Sequence, residues 1–269
     1  MTPTPFASTQ AMPRRWRSAA VLVAISIVGV IALLLAAPIP QDPSYHAFAD
    51  DRRLLGVANF WNVISNLPFV AVGLFGLTRF ARLVEPESRT GYVLLCAGVV
   101  LVGIGSSWYH LAPSNASLLW DRMPMTVAFM ALFSMLLGER VVTRHKRALT
   151  WLLVAVGLAA ALYWSWTESV GRGDLRPYAL VQFLPIILMP LILLLYPARY
   201  LDGTRLLYAF GLYVLAKALE HFDAQVYLVT GILTGHPIKH VVAALAVFCI
   251  VMAVPANPPV RLSNSAGTL

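Results

Sequence analysis

Residues 91 to 111 read GYVLLCAGVVLVGIGSSWYHL, a run that is apolar up to Gly105 and then ends in polar and aromatic residues. A bilayer core about 30 Å thick requires roughly 20 consecutive apolar residues in a helix. This run meets that length without a charged side chain. It therefore predicts a transmembrane helix whose polar end, Ser106 to His110, lies near one membrane surface.

Further stretches of the same kind occupy most of the chain. Hydrophobic residues make up 59% of the 269 residues and charged residues only 12%, whereas soluble domains carry roughly a quarter charged. The apolar runs are continuous rather than alternating, which favours helices over a barrel. We predict an all-α membrane protein, a bundle of seven core transmembrane helices plus one additional N-terminal transmembrane helix. The predicted spans cover residues 19–39, 59–78, 91–111, 121–138, 149–167, 177–196, 206–228 and 237–254.

The first span has two interpretations. Arg14, Arg15 and the apolar run before Ala36 also resemble a secretory signal, but the run exceeds the 7 to 15 residues typical of a signal core. This length favours a retained helix, and its removal would leave seven spans. We predict a disordered cytoplasmic tail at 1–16, the additional helix at 17–40, a seven-helix hydrolase domain at 41–254 and a second disordered tail at 255–269.

The net charge of +8 would suit either nucleic acid or a membrane surface, so the positions of the basic residues decide between them. With both termini cytoplasmic, most of them fall in cytoplasmic segments, as the positive-inside rule requires. These are Arg14, Arg15, Arg17, Arg79, Arg82, Arg89, Arg140, Arg144, Lys146, Arg147, Arg199, Arg205 and Arg261. We therefore expect an integral membrane protein with no nucleic-acid partner, and no protein partner is evident from the sequence.

Most of the histidines map to one side of the predicted membrane. His145 belongs to a basic cytoplasmic run, whereas the others map to the non-cytoplasmic half of the predicted topology: His46, His110, His221, His236 and His240. Ionisable groups inside spans are costly, about 2.5 to 3.5 kcal/mol for a charge at mid-helix, and so indicate function. The sequence therefore predicts a site toward the non-cytoplasmic face.

Two segments supply its candidate residues. Ser106 and His110 are four residues apart, on one helix face, and the next span returns with Asp121 at the same depth. His236 and His240 are also four apart, behind Pro237 at a helix start, so both imidazoles can face one ion. Alone, such a pair is usually two ordinary interfacial histidines. A third histidine and a carboxylate nearby instead match catalytic zinc, with three nitrogen ligands and an open position.

These segments resemble the alkaline ceramidase family, part of a group of multi-span membrane hydrolases and receptors that share a serine, an aspartate and three histidines. The resemblance covers about 42 to 254 and rests on four marks. They are Asn59-Phe60-Trp61-Asn62 with Ser65, Asn66 and Leu67; Ser106 with His110; LLWDRMPM at 118–125; and His236 with His240. The resemblance implies zinc on the three histidines and hydrolysis of ceramide-type lipids to a sphingoid base and a fatty acid.

The segment before Asn59 departs from the family, whose eukaryotic members carry an acidic calcium-binding sequence there. Asp50, Asp51 and Asn59 offer the hard oxygen ligands that calcium prefers. Arg52 and Arg53 could instead neutralise the two acids in a surface network. The sequence leaves both alternatives open.

Roles can be assigned to the remaining polar residues. Asp121 is the candidate general base, and the alternative is that it only caps a helix. Ser106 is the candidate donor to the developing oxyanion, and the alternative is that its hydroxyl bonds to a carbonyl of its own helix.

Glu220 and Asp223 either hold a ligand histidine through hydrogen bonds or, at Glu220, form an ion pair with Lys217. The polar stripe Asn59, Asn62, Ser65 and Asn66 predicts interhelical hydrogen bonds.

A site within apolar helices favours a membrane lipid as the substrate. The leading hypothesis is a zinc-dependent amide hydrolase that cleaves ceramide-like N-acyl lipids. The alternatives are a hydrolase of another amide or ester lipid, and a receptor or transporter with a structural metal or proton site. Ionisable groups gathered at one face, rather than along a path across the bilayer, favour the enzyme.

Overall fold

Helices make up the regular secondary structure of this computed structural model, which describes residues 11–83 and 85–257. That part of the chain contains isolated bridges but no β-strand, so the all-α prediction is confirmed. Short 3-10 turns lie at Pro43–His46, Phe80–Arg82 and Pro86–Ser88. The α-helices are α1 (Ala11–Leu35), α2 (Phe60–Ile64), α3 (Leu67–Thr78), α4 (Arg89–Leu111), α5 (Asn115–Arg140), α6 (Lys146–Ser169), α7 (Arg176–Leu195), α8 (Gly203–His221), α9 (Asp223–Thr230) and α10 (Gly235–Ala253).

Within the described residues, 6 segments are long and apolar enough to cross a membrane. They are Trp16–Leu35, Phe60–Thr78, Pro86–Leu111, Lys146–Ser169, Arg176–Leu195 and Gly235–Ala253. Helices α5 and α8 have 26 and 19 residues, roughly 30 to 40 Å at 1.5 Å per residue. Both carry charged side chains, among them Asp121 and Glu139 in α5 and Lys217 in α8. That α5 and α8 span the membrane, and that the chain therefore has eight transmembrane helices, stays a prediction.

The helix boundaries agree with the predicted spans within a few residues, except at four places. The span predicted at 121–138 begins six residues earlier, because α5 starts at Asn115 after the Ser114 cap. The span predicted at 206–228 is broken, because α8 ends at His221 and α9 begins at Asp223. The span at 59–78 is divided at Ser65 and Asn66, after which α3 begins at Leu67 with Pro68 in its first turn, where a backbone N–H has no partner within the helix. Helix α1 begins at Ala11, inside the segment predicted as a tail. The rest of the predicted tails, 1–10 and 258–269, lies outside the described residues.

Glycines allow two pairs of helices to approach closely beside the candidate residues. A methyl group at Gly105 in α4 would collide with the carbonyl oxygen of Trp120 in α5. A methyl group at Gly235 in α10 would collide with the carbonyl oxygen of Leu219 in α8. Only a residue without a Cβ permits such backbone contact. The close approach brings Ser106 and His236, which follow the two glycines, to neighbouring helices.

The candidate residues gather at one end of the bundle, which we call the histidine end. His110 lies in the last turn of α4. Ser114 then caps α5, its hydroxyl accepting from the backbone of Ser117 and its own N–H donating to the Ser117 hydroxyl. This reciprocal cap ends a tight reversal, which returns the chain to the level of His110 with Asp121 two turns into α5.

A buried carboxylate organises the opposite end. Glu139, at the end of α5, has no exposed surface and accepts hydrogen bonds from the backbone N–H groups of Arg199, Tyr200 and Leu201 at 2.6 to 3.1 Å. Arg140 donates to the same carboxylate at 2.8 Å. The loop between α7 and α8 is thereby fixed to the end of α5, as buried acids in membrane proteins require such partners.

We predict that Gly105→Ala destabilises the protein by about 1 to 3 kcal/mol, the usual cost of overpacking a close contact. The matched control is Gly211→Ala in α8, where an added methyl group meets no atom within 4 Å and should cost nothing. Thermal unfolding in detergent would measure both. Equal melting temperatures for the two variants would contradict the importance of the contact between α4 and α5.

Candidate metal centre

Three histidines meet at the histidine end. His110, His236 and His240 each offer a ring nitrogen, and these nitrogens lie within 4.8 Å of one another. The side chains are only 1%, 7% and 4% exposed. The i, i+4 spacing of the pair in α10 and the last turn of α4 thus produce the convergence that the sequence predicted. The cluster could hold a metal ion.

The hydrogen bonding around the three rings fits a cation. The Nε2 atoms of His110 and His236 face each other at 3.3 Å, and Nδ1 of His110 is buried without a hydrogen-bond partner. A neutral imidazole has one donor and one acceptor nitrogen, so this arrangement leaves buried capacity unsatisfied. An ion shared by three imidazole nitrogens would give the facing Nε2 atoms of His110 and His236 a common partner, and three imidazoles are a donor set that zinc accepts.

Ser65 orients the third ring. Its hydroxyl lies 2.8 Å from Nδ1 of His240 and also donates to the carbonyl oxygen of Asn62 at 3.2 Å. A hydroxyl that donates to the carbonyl accepts from Nδ1–H, which leaves the lone pair on Nε2 of His240. Such a partner behind a ligand histidine fixes its tautomer. The predicted interhelical role of the polar stripe is thus seen at Ser65.

Asp223 and Asn59 hold the backbone around the histidines rather than their rings. The Asp223 carboxylate accepts from the backbone N–H of His236 at 2.7 Å. The side-chain amide of Asn59 donates to the carbonyl oxygen of His110 at 2.7 Å. Both contacts fix the position of a helix end and so the direction from which each imidazole enters the site.

Glu220 takes part in ion pairs. Its carboxylate binds Lys217 in its own helix and Lys239 of α10, the latter at 2.7 Å. The ion-pair alternative for Lys217 and Glu220 is therefore present, and Lys239 extends it between α8 and α10. His221, at the end of α8, is exposed and lies outside the histidine cluster.

Ser106 and Asp121 lie beside the histidines. They are 4% and 9% exposed, and their side chains interact with each other. Both line the same cavity as His110, His236 and His240. The structure therefore brings together all five residues that the spacing arguments singled out.

Residues 41–50 cross the histidine end, and we call this segment the strap. The ring of Phe48 lies 4.6 Å from the rings of both His110 and His236. His46 bonds through Nδ1 to the hydroxyl of Tyr109 and through Nε2 to Asn115, each at 2.9 Å. Phe48 was not singled out from the sequence, because one aromatic residue in a loop has no periodicity that could reveal its contacts.

Asp50, at the end of the strap, is bound to Arg52. Its carboxylate accepts from Nε and Nη2 of Arg52 at 2.9 and 2.7 Å, and these bonds hold the pKa of Asp50 below its usual value. The surface network that the sequence offered as the alternative to calcium is thus formed at Asp50. Asp51 is exposed. Calcium at Asp50, Asp51 and Asn59 stays a prediction.

A cavity of about 240 Å³ leads from the histidines into the bundle. Its polar lining lies at the histidine end, and the remainder is aliphatic and aromatic. The apolar lining includes Val99, Leu132, Leu136, Met189, Leu193 and Ile250. A polar centre that opens into an apolar cavity is suited to a lipid with a polar group at one end.

The family model named Ceramidase matches residues 55–258 of the chain. The chain belongs to the ceramidase family. The match spans roughly three quarters of the chain and includes all three histidines, Ser106 and Asp121. The resemblance to the ceramidase family is thereby confirmed, and membership indicates a hydrolase that acts on lipid amides. No curated protein and no solved structure matches the chain.

We predict that Ser65→Ala weakens metal binding by about 10- to 100-fold, the usual effect of removing the partner behind a ligand histidine. Ser26→Ala is the control, because the Ser26 hydroxyl bonds only to Leu22 within α1. Metal affinity can be measured by competition with a chelator in detergent. Equal affinities in the two variants would show that Ser65 does not support His240.

The strap should loosen in acid. Since the folded pKa of Asp50 lies below its value in the unfolded chain, the bond to Arg52 stabilises the fold fully above about pH 4, and this contribution is lost as the pH falls through the folded value. We expect the protection of the strap amides, which is the exchange rate corrected for the intrinsic rate at each pH, to fall in that range. Asp50→Asn should give fast exchange already at pH 7, and slow exchange there would contradict the assignment.

Proposed function

We propose that the chain is a zinc-dependent intramembrane hydrolase that cleaves the amide bond of ceramide-like N-acyl lipids, releasing a long-chain base and a free fatty acid. One observation carries the proposal: three buried histidine nitrogens within 4.8 Å of one another lie at the polar end of an otherwise apolar cavity. Family membership supplies the reaction class.

Zinc is the proposed ion because three imidazole nitrogens leave the open coordination position typical of its catalytic sites. When bound, it supplies Lewis-acid polarisation of the amide carbonyl and lowers the pKa of water to about 7. His110, His236 and His240 would hold it. Ser65 and the backbone contacts of Asn59 and Asp223 support this ligand set by fixing its geometry.

Asp121 would move the proton. Its carboxylate takes a proton from the water whose oxygen attacks the carbonyl carbon, and returns a proton to the amide nitrogen as the C–N bond breaks. The Ser106 hydroxyl donates to the Asp121 carboxylate; once Asp121 has taken the proton, this hydroxyl would be free to donate to the carbonyl oxygen, where negative charge develops. The products are a carboxylate and an amine, so the atoms balance with one water consumed.

The cavity and the strap would hold the lipid and exclude bulk water. The acyl chain fits the aliphatic part between α4, α5, α7 and α10, where burial of methylene groups supplies binding free energy at about 0.8 kcal/mol each. Phe48 packs against His110 and His236 and so covers the reacting centre on the side of the strap. Low water content strengthens the electrostatic contacts of Ser106 and Asp121.

We also propose that the histidine end faces the non-cytoplasmic side and that both termini are cytoplasmic. The opposite end of the bundle supports this orientation, since Arg140, Lys146, Arg199 and Arg205 lie there and cytoplasmic ends carry the excess of basic residues.

The test uses purified protein in detergent, with metal content and fatty-acid release from N-palmitoylsphingosine measured on the same samples. We predict that His110→Ala, His236→Ala and His240→Ala lose zinc and activity together. Asp121→Asn should keep zinc but lose about 10²- to 10⁴-fold in kcat, as expected for a general base. His221→Ala is the matched control and should keep both properties, because His221 is exposed and outside the cluster.

Hydrolysis that persists in the three ligand variants would refute the metal assignment. Zinc binding without fatty-acid release from any amide would favour a receptor or transporter with a structural metal. Release from esters but not from amides would favour a hydrolase of a different lipid.

A further inference from the structure

Arg122 is held in an aromatic cage beside the candidate metal centre. Its side chain is 6% exposed, and its guanidinium carbon lies 4.1 Å from the ring centre of Trp164 and 4.7 Å from that of Tyr178. Nη2 donates to the side-chain oxygen of Gln41 in the strap at 2.7 Å. Cation–π contacts and this hydrogen bond fix the orientation of the guanidinium group.

One nitrogen of this guanidinium group has no acceptor. Nη1 of Arg122 is buried without a hydrogen-bond partner, and within the described residues no ion pair involves Arg122. The other two basic residues that line the cavity, Lys217 and Lys239, both pair with Glu220. A buried charged donor that lacks an acceptor is costly. An oxygen atom of a bound ligand would remove that cost.

The place of Arg122 indicates which part of a lipid it meets. Arg122 follows Asp121 in α5, so the two lie at the same depth, and Arg122 is turned about 100° toward α6 and α7. The acyl chain leads away from this level into the apolar cavity. The amine part of the lipid therefore remains at the histidine end, next to Arg122 and Gln41.

The charges around the cavity favour an anion. Its lining contains the acidic residues Asp121 and Glu220 and the basic residues Arg122, Lys217 and Lys239, so one positive charge is in excess. Guanidinium groups form their strongest hydrogen bonds with carboxylate and phosphate oxygens. A neutral hydroxyl would satisfy Nη1 but would leave the excess charge uncompensated.

We propose that Nη1 of Arg122 binds an oxyanion, a carboxylate or a phosphate, on the amine part of the lipid, so that the preferred substrates are N-acyl lipids with an acidic headgroup. The proposal rests on the proposed function for the direction in which the lipid lies. It makes Arg122 the residue that sets headgroup specificity, separate from the histidines and from Asp121.

Two matched lipid pairs test the proposal with zinc-loaded protein. N-palmitoylglycine is compared with N-palmitoylethanolamine, and N-palmitoylsphingosine 1-phosphate with N-palmitoylsphingosine; only the first member of each pair is acidic. We expect wild-type KM to be at least about tenfold lower for the acidic member of one pair, from a charge-assisted hydrogen bond. The pair that shows the difference identifies carboxylate or phosphate.

Arg122→Gln should raise KM for the preferred acidic lipid by about 10- to 100-fold, with kcat and both constants for the neutral lipid changed by less than about twofold. Arg122→Lys, which keeps the charge, should have a KM for the acidic lipid between those of the wild type and Arg122→Gln. Arg172→Gln is the matched control, since it removes the same charge from an exposed position, and it should change neither lipid's KM.

Equal wild-type KM values within both pairs would overturn the proposal, and this comparison needs no variant to fold. An equal loss of kcat/KM for acidic and neutral lipids in Arg122→Gln would also overturn it, because that result indicates a structural role.

A measurement of lipid binding without hydrolysis separates this inference from the proposed function. If no lipid is hydrolysed, the proposed function fails, but a rise in melting temperature with N-palmitoylglycine and not with N-palmitoylethanolamine, abolished in Arg122→Gln, would still support Arg122.

Discussion

Close contact between helix backbones at Gly105 and Gly235 is the constraint on which the candidate site depends. Imidazole side chains are short, so three of them can share one ion only if the helices that carry them are held in fixed positions. Gly105 lets α4, which carries His110, pack directly on α5, and Gly235 lets α10, which carries His236 and His240, pack directly on α8. The residues that follow these glycines, Ser106 and His236, are members of the site. The packing of small residues that joins membrane helices here also sets the distances between functional groups.

A second constraint is that lipid offers no hydrogen bonds, so polar groups within the bundle must find partners there. Much of the polar stripe on α2 meets this need: Asn62 binds the backbone of the strap, and Ser65 binds His240. The Glu220 cluster serves in the same way between α8 and α10. These contacts rigidify the surroundings of the three histidines. Several buried polar atoms of the described residues still lack a hydrogen-bond partner, among them Nδ1 of His110, Nη1 of Arg122 and Oδ1 of Asn62. His110 and Arg122 both line the cavity at the histidine end.

Much of this arrangement could be predicted from local patterns. Apolar runs of about 20 residues located most helices, and the i, i+4 spacing in α10 placed His236 and His240 on one face. Contacts that depend on tertiary structure could not be predicted in this way. The break between α8 and α9 lies inside a predicted span, with no glycine or proline between Lys217 and Thr230 to mark it, and Phe48 reaches the histidines from a loop without periodicity. The aromatic cage of Arg122 draws on α6, α7 and, through the ring of Tyr45, the strap. For Asp50 and Glu220 the sequence offered two partners each, and only the fold shows the ion pairs that both make.

The strap, unlike the rest of the site, lies outside the part of the chain that matches the ceramidase family model. It lies before residue 55, where the match to the ceramidase family begins, although Phe48 covers two of the three histidines and Gln41 holds Arg122. The three histidines, Ser106 and Asp121 thus lie in the part of the chain that the family model describes, while the aromatic ring that packs over two of the histidines comes from outside it. The strap can therefore change in sequence while the histidine cluster beneath it stays the same.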